Sequence, residues 1–208
     1  MVLFFACSVC YAQQDRYAKD VAELVEKHRQ FLGQDNIILF TGSSSIRMWE
    51  SLTQDFVDHK VINMGFGGSE FSDLLFFRTQ LVEQFNPEKV FIYEGDNDIN
   101  SGKSPRKTFR DAKKLYRKLK RELPESKFYF ITPKPSVSRW GLKSQYETYN
   151  QLLAKFTERK SIAYVDVWNI MLDAEGNVMK DIFIEDNLHM NAKGYSLWKN
   201  AIQPFVED

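Results

Sequence analysis

Five short apolar runs alternate with segments of helical periodicity along this chain of 208 residues, and this alternation constrains the fold most. The runs lack the regular apolar–polar alternation of strands with one solvated face, so they indicate strands buried on both faces. Strands that alternate with helices favour a parallel sheet with right-handed crossovers. We therefore predict one α/β domain with about five parallel strands. The predicted strands cover residues 37–41, 60–64, 89–93, 127–132 and 162–166, and the main helices cover residues 15–32, 71–85, 104–123, 146–159 and 191–205.

The first 12 residues differ from the rest of the chain. They are mostly apolar, with Cys10 and Ala12 at the small-residue positions that precede a signal-peptide cleavage site, and polar residues begin at Gln13. This pattern is typical of the end of a secretory signal peptide whose positive n-region is missing. We therefore expect a truncated signal peptide over residues 1–12, one domain over residues 13–208, and a secreted or periplasmic protein. A cytoplasmic protein with an N-terminal strand or tail is the alternative.

Composition excludes several kinds of function. The 28 basic residues balance the 28 acidic residues, so no overall positive charge is available to bind nucleic acid or an anionic membrane. The apolar N-terminal stretch is shorter than the about 20 residues that a membrane span needs, so we expect no integral span. Both cysteines, Cys7 and Cys10, precede the predicted domain. This excludes a disulfide framework, a zinc–thiolate site and a cysteine nucleophile within that domain.

Polar or glycine-rich residues follow four of the predicted strands. Because parallel strands end at the same edge of a sheet, these segments should converge there, where open α/β sheets bind ligands. The first segment contains three consecutive serines, and a serine at this edge is a candidate nucleophile. Such a serine needs a base and hydrogen-bond donors for an oxyanion. The four segments cover residues 43–45, 65–68, 95–98 and 133–140.

The base can be identified by elimination among three histidines. His28 lies on the apolar stripe of the first helix, and His59 precedes a strand, at the opposite end of the sheet from the serines. His189 lies in a loop three residues after Asp186. This spacing lets the carboxylate bind one ring nitrogen while the other faces a serine. An Asp-x-x-His pattern alone is structural about as often as catalytic, and only its context gives it weight.

The same edge of the sheet offers three kinds of oxyanion donor. Glycines allow close approach of the backbone, so Gly67 and Gly68 can present an N–H at a strand end. Asn97 offers a neutral side-chain amide. The N–H of the reactive serine, at the start of a helix, is the third donor.

In combination, these residues resemble the SGNH hydrolases, also called the GDSL-type esterase/lipase family. The blocks that mark this family occur in its order, and the resemblance covers about residues 37–200. No single block is specific, but the four together are. They are Gly42-Ser43-Ser44, Asn63-x-Gly65-x-Gly67-Gly68, Gly95-x-Asn97-Asp98 and Asp186-x-x-His189.

The resemblance implies a three-layer α/β/α, flavodoxin-like fold and the hydrolysis of esters or thioesters without a metal or cofactor. It implies a catalytic triad of Ser44, His189 and Asp186. It also implies an oxyanion hole made by Gly68, Asn97 and the Ser44 N–H.

Two residues depart from the family pattern, and two others are candidates for contact with substrate. Ser43 stands where the family usually has an aspartate, which lies outside the triad. Asp96 places a carboxylate near the oxyanion site, and we expect it to point away from that site. Arg139 and Trp140 follow the fourth strand and are candidate substrate-lining residues, although structural packing explains them equally well.

The sequence therefore predicts a serine-dependent hydrolase of small acyl esters, acetyl esters above all, of a small molecule or a glycan. The near-neutral charge and the absence of a long apolar lid segment favour a small acyl group over a long lipid chain. A lysophospholipase- or thioesterase-type acylhydrolase is one alternative. A non-catalytic carbohydrate-binding or scaffold domain on the same fold is the alternative from another class. The oligomeric state is not predicted.

Overall fold

The computed structural model describes the backbone of residues 5–160 and 162–208, and the side chains from residue 16 onward except residue 161. The strands within these residues are β1 (Ile37–Gly42), β2 (Lys60–Gly65), β3 (Lys89–Tyr93), β4 (Lys127–Ile131) and β5 (Ala163–Val165). The α-helices are α1 (Phe5–Lys27), α2 (Ser44–Arg47), α3 (Leu52–Asp55), α4 (Phe71–Leu81), α5 (Asp96–Asn100), α6 (Pro105–Glu122), α7 (Lys143–Lys160) and α8 (Ala192–Glu207).

All five strands pair in parallel, in the order β2-β1-β3-β4-β5. This order is that of flavodoxin-like sheets, and it confirms the predicted five-stranded parallel α/β fold. β1 lies at the point where the strand order reverses, between β2 and β3. The carboxyl ends of β1, β2 and β3 are therefore neighbours, and the loops that follow them form one edge of the sheet.

Helices cover both faces of the sheet. Residues of α1, α4, α6 and α7 pack with Ile37 and Leu39 of β1 on one face. Residues of α2, α3 and α8 pack with Ile38 and Phe40 on the other face. Because successive strand residues point to opposite faces, the unbroken apolar run of β1 supplies both cores, and the result is a three-layer α/β/α arrangement.

The N-terminal predictions are mostly not tested by the structure. Residues 1–4 of the predicted signal segment lie outside the described residues, and the backbone of residues 5–12 belongs to α1. The helix predicted to begin at Asp15 begins at Phe5 instead, because no glycine or proline interrupts residues 5–15. Among the helices that the structure describes, none combines the length and the apolarity needed to cross a bilayer. The signal peptide, the boundary after residue 12 and the export of the protein remain predictions.

Two further differences from the sequence prediction concern α4 and α5. The helix predicted over residues 71–85 is α-helical only to Leu81 and ends in a 3₁₀ turn over Glu83–Phe85. The helix α5 was missed, since five residues of mostly Asp and Asn give no helical apolar pattern. This helix matters because it carries Asn97.

Candidate active site

The turn from β1 into α2 presents the three serines at the sheet edge. Gly42 ends β1 with φ +129°, and a Cβ there would lie 1.9 Å from the carbonyl oxygen of Tyr93, so only glycine fits. The Ser43 N–H donates to that same carbonyl oxygen at 3.1 Å. Ser43 and Ser45 are buried, whereas Ser44 is partly exposed at the first position of α2. The local geometry therefore favours Ser44 as the serine that a substrate can reach.

The structure brings Ser44, His189 and Asp186 together although Ser44 and His189 are 145 residues apart in the chain. The His189 Nε2 lies 2.9 Å from the Ser44 Oγ, and the His189 Nδ1 lies 2.5 Å from the Asp186 Oδ2. His28 instead follows the end of α1, with its Nδ1 3.0 Å from the Leu24 carbonyl oxygen, and His59 is exposed before β2. His189 is thus the histidine that contacts a serine at the sheet edge.

Backbone N–H groups of the same loop hold the Asp186 carboxylate. The Asp186 Oδ1 accepts hydrogen bonds from the N–H groups of Leu188 and His189, each at 2.9 Å. Partial burial raises the pKa of Asp186, but the hydrogen bonds from the His189 ring and from these backbone groups outweigh it and lower the pKa to about 2. The carboxylate is therefore ionised at neutral pH and can fix the ring with Nδ1–H towards it.

The three candidate oxyanion donors lie around the same edge. Gly68 has φ +77°, a conformation that favours glycine, and it follows β2. Within residues 16–160 and 162–208, the N–H groups of Ser44 and Gly68 donate to no other group. Asn97, in the helix α5 that follows β3, has a partly exposed side chain.

The Asn97 amide makes contacts on both sides. Its Nδ2 donates to the Ser43 Oγ at 2.6 Å and to the Ser69 carbonyl oxygen at 2.9 Å. Its Oδ1 accepts from Arg139 Nη2 at 3.1 Å. Ser43 therefore contacts the side chain of the third candidate donor, and a hydroxyl occupies this buried position where the related family usually has a carboxylate.

Asp96 points into a buried cluster of cations and tyrosines. Its Oδ1 accepts from Arg139 at 2.6 Å and Tyr146 at 2.8 Å, and its Oδ2 accepts from Tyr93 at 3.0 Å and Lys134 at 3.3 Å. Burial alone would raise the pKa of Asp96, but Lys134 and Arg139 hold it well below its usual range. The carboxylate is thus neutralised by its partners, in line with the expectation that it points away from the oxyanion site.

Comparison with known proteins identifies the family of this chain. The model of the GDSL-like lipase/acylhydrolase family matches residues 32–197, most of the chain and all of the elements described above except α1 and the end of α8. The chain belongs to the GDSL-like lipase/acylhydrolase family. The resemblance seen in the sequence blocks is therefore confirmed.

Solved structures that resemble this GDSL-like chain support its fold. A GDSL-like lipase from Bacteroides thetaiotaomicron is 19% identical, with a TM-score of 0.73 over 93% of this chain and 97% of that one. A catalytic mutant of an acetylxylan esterase from Geobacillus stearothermophilus is 14% identical, with a TM-score of 0.69 over 83% of this chain and 94% of that one. At these identities the likeness shows the fold alone.

One curated relative is longer than this chain. An N-acylneuraminate cytidylyltransferase from Escherichia coli O18:K1:H7 is 27% identical over 198 residues, which cover 93% of this chain. The chain spans only 45% of that relative's length. The relative's name therefore describes a protein of which this GDSL-like chain matches less than half.

Trp140, the second candidate substrate-lining residue, lies beside a surface cavity. Its ring stacks on that of Trp168, with centroids 6.2 Å apart and planes 17° apart. The cavity has a volume of about 600 Å³, and Val137 and Met179 are among the other residues that line it. The loop that carries Trp140 also contacts the loop that carries Asp186 and His189, because the Ser138 N–H donates to the Asn187 carbonyl oxygen at 3.1 Å. Trp140 thus has a structural contact and a cavity beside it, which leaves both interpretations of this residue open.

Two buried carboxyl groups behind the site were not predicted from the sequence. The Glu94 Oε1 accepts from the Ser69 Oγ at 2.6 Å, whereas its Oε2 has no partner among the described residues. Burial, and then the charge of Asp98, raise the pKa of Glu94 well above its ordinary value. Asp98 accepts from the Phe71 N–H and from Lys103, but burial still raises its pKa to about 6. Each follows β3 in an acidic segment whose end the sequence places at the sheet edge, but nothing in the sequence indicates that these two side chains are buried.

Glu94→Gln is expected to stabilise the fold increasingly as the pH rises. The folded state holds the Glu94 proton to a higher pH than the unfolded state does, so wild-type stability falls as the pH rises above about 4.5. Each pH unit in this window costs up to about 1.4 kcal/mol. Glutamine does not ionise and retains an oxygen that can accept from Ser69. Thermal melts of both proteins between pH 5 and pH 8 should therefore diverge, whereas exposed Glu125→Gln should track the wild type. If the unfolding midpoints of the wild type and Glu94→Gln changed in parallel with pH, Glu94 would ionise in the folded protein without loss of stability.

Proposed function

We propose that this chain hydrolyses esters of small acyl groups through an acyl-enzyme on Ser44. The observation that carries the proposal is the hydrogen-bonded series from Ser44 Oγ to His189 Nε2 and from His189 Nδ1 to Asp186 Oδ2. A serine hydroxyl is a weak nucleophile at its ordinary pKa, and an adjacent imidazole oriented by a carboxylate removes this limitation. Membership of an acylhydrolase family supports the same chemistry.

In the acylation step, His189 Nε2 takes the proton of Ser44 as the Oγ attacks the ester carbonyl carbon. The carbonyl oxygen becomes an oxyanion, for which the N–H groups of Ser44 and Gly68 are the available donors. The Asn97 Nδ2 can be the third donor when one of its two hydrogens leaves the Ser43 Oγ. When the carbon–oxygen ester bond breaks, His189 returns the proton to the leaving alkoxide. The alcohol departs, and the acyl group remains on Ser44.

In the deacylation step, water replaces the alcohol. His189 takes a proton from the water as its oxygen attacks the acyl carbon, and the same donors face the second oxyanion. The bond to the Ser44 Oγ then breaks, and His189 gives the proton back to this oxygen. Asp186 remains ionised throughout and stabilises the imidazolium that forms in each step.

The substrate class that we propose is an acetyl ester of a sugar. The fold is shared with an acetylxylan esterase, and the cavity beside Trp140 combines an aromatic ring with Asp173, Asn177 and Lys180. Aromatic rings with a few polar groups are usual in small-molecule sites. This mixture suits a polar alcohol portion better than a long acyl chain.

A panel of esters tests the substrate class. The panel contains p-nitrophenyl acetate, butyrate, octanoate and laurate, together with acetylated and deacetylated xylooligosaccharides. We expect the highest kcat/KM for the acetyl esters and release of acetate from the acetylated sugar. A steady increase in kcat/KM with chain length would instead support a lysophospholipase- or thioesterase-type acylhydrolase. Failure to turn over any ester would support a non-catalytic domain.

The rate of ester hydrolysis is expected to rise with pH along a single limb. Only the neutral form of the His189 ring can accept the Ser44 proton. Asp186, with a pKa of about 2, stays ionised between about pH 5 and pH 8 and adds no second limb. A plot of log kcat/KM against pH should therefore have a slope of one and then a plateau. Asp98→Asn should keep this limb, and its disappearance in that variant would assign the limb to Asp98.

A further inference from the structure

Asn97 can serve an oxyanion in only one of its two amide orientations. The Nδ2 end donates hydrogen bonds, whereas the Oδ1 end only accepts them and would repel an oxyanion. The two ends have nearly the same shape, so packing alone does not distinguish them. A neighbouring group that can only donate, placed at one end, decides the orientation.

Arg139 is such a group. Its guanidinium has five N–H donors and no acceptor, and its Nη2 lies 3.1 Å from the Asn97 Oδ1. If the amide were rotated by 180°, two donors would face each other at this distance. The Ser69 carbonyl oxygen, 2.9 Å from Nδ2, favours the same orientation from the opposite side.

Arg139 is itself held in place by a buried carboxylate. Its Nη1 donates to the Asp96 Oδ1 at 2.6 Å, and its side chain is only 12% exposed. Tyr146 and Lys134 also bind the Asp96 carboxylate, so Asp96 cannot move without breaking several contacts. The fork of the guanidinium therefore joins a fixed carboxylate to the Asn97 amide, a geometry that lysine cannot reproduce.

We infer that Arg139 is a positioning residue that acts through Asn97. It fixes the amide with Nδ2 on the side of Ser43, the residue that precedes Ser44, and Asp96, Lys134 and Tyr146 hold the guanidinium in place. The inference rests on the proposed function, because it assumes that an oxyanion forms at Ser44. It replaces the interpretation of Arg139 as a residue that lines the substrate.

A double-mutant cycle between Arg139 and Asn97 tests the inference. Loss of one oxyanion donor typically costs about 100–1,000-fold in kcat, and Asn97→Ala should fall in this range. Arg139→Met should lower kcat by about 10–100-fold with little change in KM, because only the Ser69 carbonyl oxygen then favours the productive amide orientation. In the Asn97→Ala background, Arg139→Met should cost less than about threefold, since the residue through which it acts is absent. Additive losses would overturn the inference.

Arg139→Lys distinguishes the positioning of Asn97 from the ion pair with Asp96. A lysine retains a charge that can pair with Asp96, but it cannot hold both the carboxylate and the amide. We expect Arg139→Lys to recover the thermal stability that Arg139→Met loses while kcat remains low. Full recovery of kcat by lysine would show that only the ion pair matters. Exposed Arg106→Met is the matched control for loss of a charge.

An alkyl boronic acid provides a second readout, because it forms a tetrahedral adduct with a reactive serine. Its inhibition constant should rise in Arg139→Met by about the factor by which kcat/KM falls, as expected for lost transition-state stabilisation. An unchanged inhibition constant with fewer active molecules would indicate a folding defect and overturn the inference. If Ser44→Ala abolishes hydrolysis but the cycle is additive, the inference fails and the proposed function stands. If Ser44→Ala retains hydrolysis, the proposed function fails first.

Discussion

Ser44→Ala is expected to lower kcat/KM for p-nitrophenyl acetate by about 10,000-fold or more, the range found when a serine nucleophile is removed from a triad. Alanine removes the Oγ that lies 2.9 Å from His189 Nε2, so no acyl-enzyme can form. The substituted position is the partly exposed first residue of α2, and its hydroxyl makes no other hydrogen bond among the described residues. The thermal unfolding midpoint should therefore change little. Initial rates at saturating and limiting substrate, with a melt of each preparation, measure both effects.

The neighbouring serines are the controls for this substitution. Ser45 is buried at 2% exposure, so Ser45→Ala should retain most of the activity. Ser43→Ala removes the hydroxyl that contacts Asn97 and should retain activity within about tenfold, as expected for one neutral hydrogen bond. Abolition of turnover by Ser45→Ala but not by Ser44→Ala would move the nucleophile by one residue. Wild-type-like turnover by all three variants would rule out a serine nucleophile at this edge.

His189→Gln is expected to have the second large effect, a loss of about 10,000-fold in kcat/KM at neutral pH. Glutamine can form hydrogen bonds but cannot accept the Ser44 proton, so the hydroxyl returns to its ordinary low reactivity. The residual rate should lose the acidic limb of the pH profile, because no imidazole remains at this position to accept the Ser44 proton. Assays of the purified variant between pH 5 and pH 9 measure both outcomes.

His59→Gln is the matched control, since His59 is exposed and lies before β2, at the opposite end of the sheet. It should leave the rate and the pH limb unchanged. A His189→Gln protein that keeps the acidic limb would show that another group provides the base. Loss of the limb in His59→Gln would show that His59 was wrongly excluded as the base.

The sequence predicts the parts of this molecule that depend on periodicity and on strand ends. The apolar run of β1 is buried on both faces, and the five strands are parallel, as their alternation with helices requires. Parallel strands bring residues 43–45, 65–68 and 95–98 to one edge whatever their spacing in the chain. The contact of His189 with Ser44 has another basis, because His189 follows no strand: it was predicted by elimination among the three histidines and by the resemblance to the SGNH hydrolases.

The contacts around Asn97 could not be predicted in the same way. The pairing of Arg139 with Asp96 and Asn97 joins the loop after β4 to the helix α5, and no local pattern encodes which side chain contacts which. The sequence indicated only that Asp96 should point away from the site, not that Lys134, Arg139 and Tyr146 bind it. Lys134 gave no signal beyond its place between two prolines after β4, although it is almost fully buried.

Glu94 and the short helix α5 were missed for a related reason. Five residues cannot show a helical apolar period, and a buried carboxyl group is not expected from sequence because burial of a charge is costly. The protein tolerates Glu94 because its pKa is raised, so the group can remain protonated among its neighbours. Such a group is visible only when the packing around it is known.

Covalent labelling tests the central claim most directly. A fluorophosphonate phosphonylates an activated serine, and peptide mass spectrometry of the labelled wild-type protein then locates the modified side chain. We predict one phosphonyl group per chain on Ser44, none in His189→Gln, and none in Ser44→Ala. A label on Ser43 or Ser45 would contradict the assignment. A protein that carries a full equivalent of label on a residue other than Ser44 and still hydrolyses p-nitrophenyl acetate would contradict it as well.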